Sequence, residues 1–327
     1  MTRGQKVLWW LLLAFGVLLA VGAGVALWAY QRLEGNIRTD HAAAEALERD
    51  AGDRPRATAG AGRTIMVIGD DLGSGTGNAR SDTVLLLHLS AGGDRADVVS
   101  VPRDIVADIP ACHGPDGEPT RARRAQFNWA YQFGGAACTI RTFEGFADLR
   151  IDHHLVIGFD GFARLVDAVG GVEVELAEAE RDPNVGHDLS AGRHLLDGEQ
   201  ALAYVRARVH VGDGSDLNRL ERQQRFLGLL RDRITESGVL TDPARLYPVL
   251  TAVTSAITAD PGLDSLDELR ALAADLRGVP EGGVTFHTVP TLPHPTRPDR
   301  LVLDRPAADR LFDALRDDRP LTRPAAP

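Results

Sequence analysis

Lysine is almost absent from this chain. It occurs once, at Lys6, among 36 basic residues, and every other cation is arginine. A GC-rich coding bias explains most of that excess. The chemical consequence holds regardless: the cations are permanently charged planar forks, suited to phosphate and carboxylate. A basic surplus is also lacking. The net charge of −10 excludes a general nucleic-acid binder, and no helix-turn-helix pattern stands out. The histidines show no metal-ligand spacing, and the adjacent His153 and His154, before a predicted strand, read as structural. Neither a Gly-x-Ser-x-Gly elbow nor a Cys/His pair signals covalent catalysis. Cysteine is limited to Cys112 and Cys138, which are either two buried thiols or one disulfide.

Charge is missing altogether from residues 7–31. About 20 apolar residues cross a bilayer core, so this run is long enough to span. Trp9 and Trp10 near one end, and Trp28 and Tyr30 near the other, stand where aromatic rings prefer the membrane interface. A cleaved signal peptide would carry a shorter apolar region. The reading is a short cytoplasmic tail (1–6), a membrane helix (7–31), a charged and alanine-rich stalk with a Gly/Ala/Pro linker (32–63), and an outer domain. Basic residues flank the span almost equally, so orientation rests on the brevity of the tail. An extracytoplasmic domain would favour the Cys112–Cys138 bond.

The domain opens with apolar runs at 64–69, 83–89 and 97–101, which read as neighbouring buried strands. Helical patterns follow at 139–148, 160–168, 198–206, 217–236, 243–258, 265–276 and 306–316, with further strands at 154–159, 172–176 and 283–289. Strands interspersed with helices indicate an α/β layered fold.

Three polar clusters carry candidate chemistry. Asp70 and Asp71 follow the first strand, and Asp82 leads into the second. Carboxylates converging from adjacent strand ends suit a hard divalent cation, although aspartate is also common in turns. The intervening GSGTG at 73–77 lacks the Walker lysine and its spacing, and reads as a flexible loop. Arg103 and Asp104 end the third strand, where an arginine can reach a phosphate over the sheet edge. Arg206 and Arg208, if extended, share a face. Arg219 and Gln223 share a face of the next helix, and Asp216 stands near its start. Glu221, Arg222 and Arg225 read as a solvated face.

The order of IMVIGDD, RSDT, SVPRD, FNWAYQFGG, IDHHLVIGFDGFARLVDAVGGVEV, LDGEQALAYVRAR and DLNRLERQQRF resembles the LytR–CpsA–Psr (LCP) family over about residues 64–235, with a family-like ending to about 317. The resemblance implies a membrane helix and an extracytoplasmic α/β/α domain (64–317) with a central mixed sheet, then a flexible tail (318–327). It implies a phosphotransferase that moves a glycopolymer from a polyprenyl-pyrophosphate carrier in the membrane lipid onto peptidoglycan. Family metal-site carboxylates fall on Asp71 and Asp82, for Mg²⁺ (or Mn²⁺). Pyrophosphate-binding arginines fall on Arg103, Arg206, Arg208 and Arg219, and the remaining polar site positions on Asp216 and Gln223. Asp70 adjoins the expected metal position, so the choice between the two aspartates stays open. Where many members have Lys-Ile-Asn, this chain has Gln126-Phe127-Asn128, with Arg123 or Arg124 as a substitute cation. Two rivals use the same residues or none of them: a pyrophosphatase of the same lipid-linked substrate, and a non-catalytic envelope-binding or regulatory membrane protein.

Overall fold

The computed structural model describes residues 3–58, 60–70, 81–114, 117–208, 211, 216–280 and 282–321. The chain begins with α1 (Arg3–Glu34), β1 (Arg38–Thr39) and α2 (His41–Arg49). Next come β2 (Arg63–Asp70), β3 (Ser81–Leu89), β4 (Ala96–Val101) and the antiparallel pair β5 (Val106–Ile109) and β6 (Arg123–Gln126). Helix α3 (Trp129–Ala147), β7 (His153–Gly158) and α4 (Phe159–Ala168) lead to two small ladders. In these, β8 (Val172–Leu176) pairs with β11 (Gly192–Leu196), and β9 (Glu180–Asp182) pairs with β10 (His187–Leu189). Helices α5 (Gly198–Arg206), α6 (Asp216–Glu236) and α7 (Pro243–Ala256) precede β12 (Ile257–Ala259), α8 (Leu266–Gly278), β13 (Val284–Thr288), the pair β14 (Thr291–His294) and β15 (Arg297–Leu303), and α9 (Arg305–Arg316).

The central sheet runs β1-β12-β7-β2-β3-β4-β13. It is mixed: β2 with β7 and β4 with β13 are parallel, while β3 is antiparallel to both its neighbours. Alternation along the strands separates two cores. Met66, Ile68, Val84 and Leu86 join the cluster under α2, α3 and α9, with Phe143 and Phe312. Ile65, Val67, Leu87 and Leu89 face the opposite way, into a cluster with Leu269, Leu272 and Leu276 of α8. Both faces of β2 are therefore covered, which explains its unbroken apolar sequence and gives the α/β/α layering. A third cluster joins α4, α5 and α6 to β8 around Tyr204 and Phe226.

Helix ends follow local chemistry. Asp197 and Gln200 form a capping box on α5, and Ser265 and Glu268 form one on α8. Helix α3 starts ten residues earlier than its sequence pattern predicts. It is kinked at Gly134 and Gly135, which interrupt the apolar period. A Cβ on Gly134 would lie 2.8 Å from the His113 carbonyl oxygen and 2.9 Å from Cys138 Cβ, and Gly135 has φ 59°. Cys112 and Cys138 are disulfide-bonded beside this kink.

The expected stalk over 32–63 is corrected. β1 adds to the sheet edge beside β12, and α2 buries Ala43 and Leu47. Arg54 then makes two 2.8 Å bonds to the buried Glu144 carboxylate. Helix was expected in this alanine-rich stretch, but not its packing, because small side chains give little periodic contrast. The tail boundary at 318 also moves. Asp318 bonds Arg95 at 2.6 Å and the Ala91 N–H at 2.9 Å, and so belongs to the domain. The expected span lies inside α1. Among the described residues, one helix is long and apolar enough to cross a membrane, at Trp9–Glu34, within which an 18-residue stretch has mean hydropathy 2.4.

Candidate functional site

The carboxyl ends of β2, β4 and β7 lie on one edge of the sheet, because these strands run in the same direction. β2 ends at Asp70, which pairs with Gly158 on one side and Ser81 on the other. Register slips here: Gly69 opposes Thr83 and Asp70 opposes Ser81, so Asp82 is the extra residue of a β-bulge. Bulges re-aim side chains and concentrate beside functional sites. Asp70 is 2% exposed and accepts a 2.8 Å bond from the Tyr131 hydroxyl. The Ser81 hydroxyl is fully buried and has no hydrogen-bond partner among the described residues.

β4 delivers Arg103 and Asp104 to the same edge. Asp104 is buried and gathers three groups. Gln126 Nε2 donates to its Oδ1 at 2.5 Å, while Arg208 Nη1 and Arg103 Nε lie 3.8 and 3.9 Å from its Oδ2. Backbone bonds lock this loop to the start of α3: the Asn128 N–H donates to the Arg103 carbonyl, and the Phe127 N–H to that of Ile105. One segment, 126–131, thus presents Gln126 to Asp104 and Tyr131 to Asp70.

Arg206 ends α5 and Arg208 follows it, so the extended segment expected to align them is corrected: α-helical geometry persists to Arg206 and the backbone extends only at Ala207. The Arg206 guanidinium lies 4.9 Å over the Phe159 ring. That ring approaches Gly69, next to Asp70, within 3.6 Å of where a Cβ would stand. The Arg208 N–H donates to Asp182 at 2.7 Å.

Helix α6 holds this corner from behind. Arg222 Nη1 donates to the Ala207 carbonyl at 2.6 Å, and Gln223 Nε2 donates to that of Val205 at 3.1 Å. These are the open carbonyls of the α5 terminus, where cations and amides are favoured. Arg222 is 6% exposed, which corrects its reading as part of a solvated face. Arg219 is buried on the same helix. Gln223 is therefore placed behind the arginine corner as a support.

Of the residues expected from sequence, Arg103 and Arg208 meet around Asp104, and Arg206 stands over Phe159 beside the end of β2. Asp71 and the GSGTG loop lie outside the described residues, as do the side chains of Asp82 and Asp216. Arg123 stacks 4.0 Å over Phe133 and Arg124 lies 3.6 Å from Asp108, so neither stands in for a cation at 126. Gln126 itself fills the position as a neutral donor. Sequence reading missed Asp104 as a hub and Tyr131 as the partner of Asp70; both sit inside quoted motifs, SVPRD and FNWAYQFGG. His153 and His154 bond Asp260 and Asp40, as a structural role requires.

Among the described residues, no group of three or more His, Cys, Asp or Glu forms a metal cage. The Asp70 carboxylate and the unsatisfied Ser81 hydroxyl opposite it are hard oxygen donors, the type that Mg²⁺ or Mn²⁺ takes. These two donors fit part of such an ion's shell, at the same edge as Arg103, Arg206 and Arg208.

The sequence model of the LytR_cpsA_psr family matches residues 33–315. The chain belongs to this family. It is 36% identical over 222 residues to the probable cell wall biosynthesis protein LcpB of Corynebacterium glutamicum, covering 68% of this chain and 48% of that one. It is 34% identical over 209 residues to the polyisoprenyl-teichoic acid–peptidoglycan teichoic acid transferase TagU of Halalkalibacterium halodurans, 64% of each chain. The chain thus spans about half of the first relative and under two thirds of the second. Among solved LCP structures, an enzyme from Actinomyces oris superposes with TM-score 0.62 at 24% identity, covering 80% of this chain and 93% of that one. TagT bound to LI-WTA superposes with TM-score 0.57 at 22% identity, covering 78% and 90%. These likenesses establish the LCP fold.

Proposed function

We propose that this protein is a membrane-anchored phosphotransferase that moves a glycopolymer from a polyprenyl-pyrophosphate carrier onto peptidoglycan, with its domain outside the cytoplasm. The observation that carries the reading is the convergence of Arg103 and Arg208 on Asp104, with Arg206 over Phe159 beside Asp70. Fixed guanidiniums at a sheet edge, in an LCP chain, suit a pyrophosphate. The relatives named for teichoic acid transfer support the substrate class.

In this reading Arg103, Arg206, Arg208 and Arg219 bind the pyrophosphate and stabilise the charge that develops on the leaving polyprenyl phosphate. A sugar hydroxyl of peptidoglycan attacks the glycan-side phosphorus. The new phosphorus–oxygen bond forms as the bridging one breaks, and the hydroxyl proton passes to a carboxylate of the edge. Mg²⁺ or Mn²⁺ held by Asp71 and Asp82, with Asp70 adjacent, would neutralise part of the phosphate charge.

The test uses the purified full chain, a polyprenyl-pyrophosphate-linked glycan and a peptidoglycan oligomer, with products read by mass spectrometry. A glycan–phosphate–peptidoglycan conjugate and polyprenyl monophosphate are expected. Arg206→Ala should slow their formation by on the order of a hundredfold, the scale of one lost transition-state donor. Cleavage by water alone, with acceptor present, would replace transfer by pyrophosphatase action. Binding of the carrier without cleavage would leave a non-catalytic envelope protein.

A further inference from the structure

Helix α1 does not end as a free tether. The Trp28 ring stacks on Tyr247 of α7, with centroids 6.2 Å apart and planes 27° apart. The Tyr30 hydroxyl donates to Asp267 at 3.3 Å, and Glu34 accepts the backbone N–H of Leu266, the first residue of α8, at 2.7 Å. Just beyond the helix, Asn36 donates to the Thr254 hydroxyl at 3.2 Å.

These contacts fix a direction. Trp28 meets Tyr247; eight residues on, Asn36 meets Thr254, which lies seven residues after Tyr247. α1 and α7 therefore run parallel over about 11 Å. From Trp9 to Trp28 is about 29 Å of helix, close to the ~30 Å hydrocarbon core. Tryptophans so spaced mark the two interfaces, which puts Trp28 at headgroup level. Tyr247, stacked on it, shares that level. The first turn of α7 is then its membrane side.

What surrounds Tyr247 suits that depth. Pro243, Ala244, Arg245 and Pro248 are exposed. The Arg245 side chain is 65% exposed and lies 3.5 Å from Asp242; Arg270, one turn beyond Asp267, is 74% exposed and lies 3.5 Å from it. Exposed pairs of this kind hold weakly, which leaves both guanidiniums available to phosphate.

We propose that the first turns of α7 and α8 form a membrane-docking face. Tyr247 sits at the interface beside Trp28, and Arg245 and Arg270 bind the phosphates of anionic lipids. The docked junction sets the height of the site. From Tyr247, α7 rises about 15 Å to Ile257, which pairs with Ile157 next to the site edge. The proposal rests on α1 spanning a bilayer.

The test places the full chain in nanodiscs of phosphatidylcholine, in nanodiscs that also contain phosphatidylglycerol, and in detergent micelles. Hydrogen exchange over residues 243–248 and 266–271 is then followed by mass spectrometry. Exchange about fivefold slower in anionic nanodiscs than in micelles is expected, as local opening is suppressed. Arg245→Gln with Arg270→Gln should return it to the phosphatidylcholine rate, with transfer activity in detergent unchanged. Equal rates in anionic nanodiscs and micelles, or protection indifferent to the double substitution, would overturn the docking face. The same protection by inorganic phosphate in micelles would overturn lipid as the ligand. A chain that fails to enter nanodiscs overturns the anchor together with the face, whereas entry without protection overturns the face alone.

Discussion

The Tyr131 hydroxyl donates to Oδ2 of Asp70 at 2.8 Å, joining the start of α3 to the end of β2 in a buried bond. Burial pushes the phenol's pKa up, and the neighbouring Asp70 carboxylate pushes it further. Tyr131 therefore stays a donor throughout the physiological range. Tyr131→Phe keeps the ring and removes the donor. A bond to a charged group contributes about 1.5–3 kcal/mol. If Asp70 acts in transfer, the rate should fall on the order of tenfold to a hundredfold, and the thermal midpoint should drop by several degrees because the buried carboxylate loses its donor. An unaltered rate would detach Asp70 from the chemistry.

Asp104 holds Arg103, Arg208 and Gln126, and its negative charge also offsets two of the cations meant for substrate. Asp104→Asn keeps the shape and removes the charge. The expected outcome is a split: KM for the lipid-linked glycan falls about two- to fivefold, while kcat falls because the guanidiniums lose their fixed geometry. Steady-state kinetics separate the two. A lower KM with kcat unchanged would leave Asp104 as a counter-charge alone.

Much of the edge was legible because strands ending in charged residues interrupt long apolar runs: IMVIGDD and SVPRD announced β2 and β4 together with their cargo. Arg103, Arg206 and Arg208 followed from the ordered motifs. What stayed hidden lies in side-chain pairing across long sequence distances. Nothing local marks Tyr131 as the partner of a residue 61 positions earlier, or Arg222 as a clamp on the carbonyl of Ala207. The packing of α2 was hidden by its alanines, and the first turns of α3 by the glycine pair that kinks it.

Arg54 tests the correction to the stalk most directly. Its side chain is 8% exposed and that of Glu144 is 2%. Arg54 also donates to the Ile151 carbonyl at 2.9 Å, while Glu144 accepts the Ile151 N–H at 3.0 Å. Removing one partner of a buried pair leaves a desolvated charge and costs about 3–5 kcal/mol. Arg54→Ala should lower unfolding free energy by that amount in denaturant titrations. A loss within experimental error would mean that 51–63 is loosely attached after all.

The last expectation concerns pH. His153 Nδ1 and Asp260 Oδ1 lie 3.1 Å apart, and Asp260 also accepts the N–H groups of His154 and Gly262. The bond to Asp260 raises His153 above its ordinary 6.5; burial opposes this, and the charges of Asp260 and Asp152 add to it. For Asp260, burial alone would raise the carboxyl, but the bonds from His153, His154 and Gly262 outweigh it and hold the group below 3.8. The raised imidazole contributes stability in full below 6.5 and loses it as pH climbs through the folded value. The lowered carboxylate contributes above 3.8 and loses it as pH drops through the folded value. Together they favour the fold most between 3.8 and 6.5. His153→Gln retains a donor that does not titrate. Denaturant midpoints measured from about pH 5 to pH 8 should decline for the parent and decline less for His153→Gln. Identical slopes would show that this pair does not set the alkaline limb of stability.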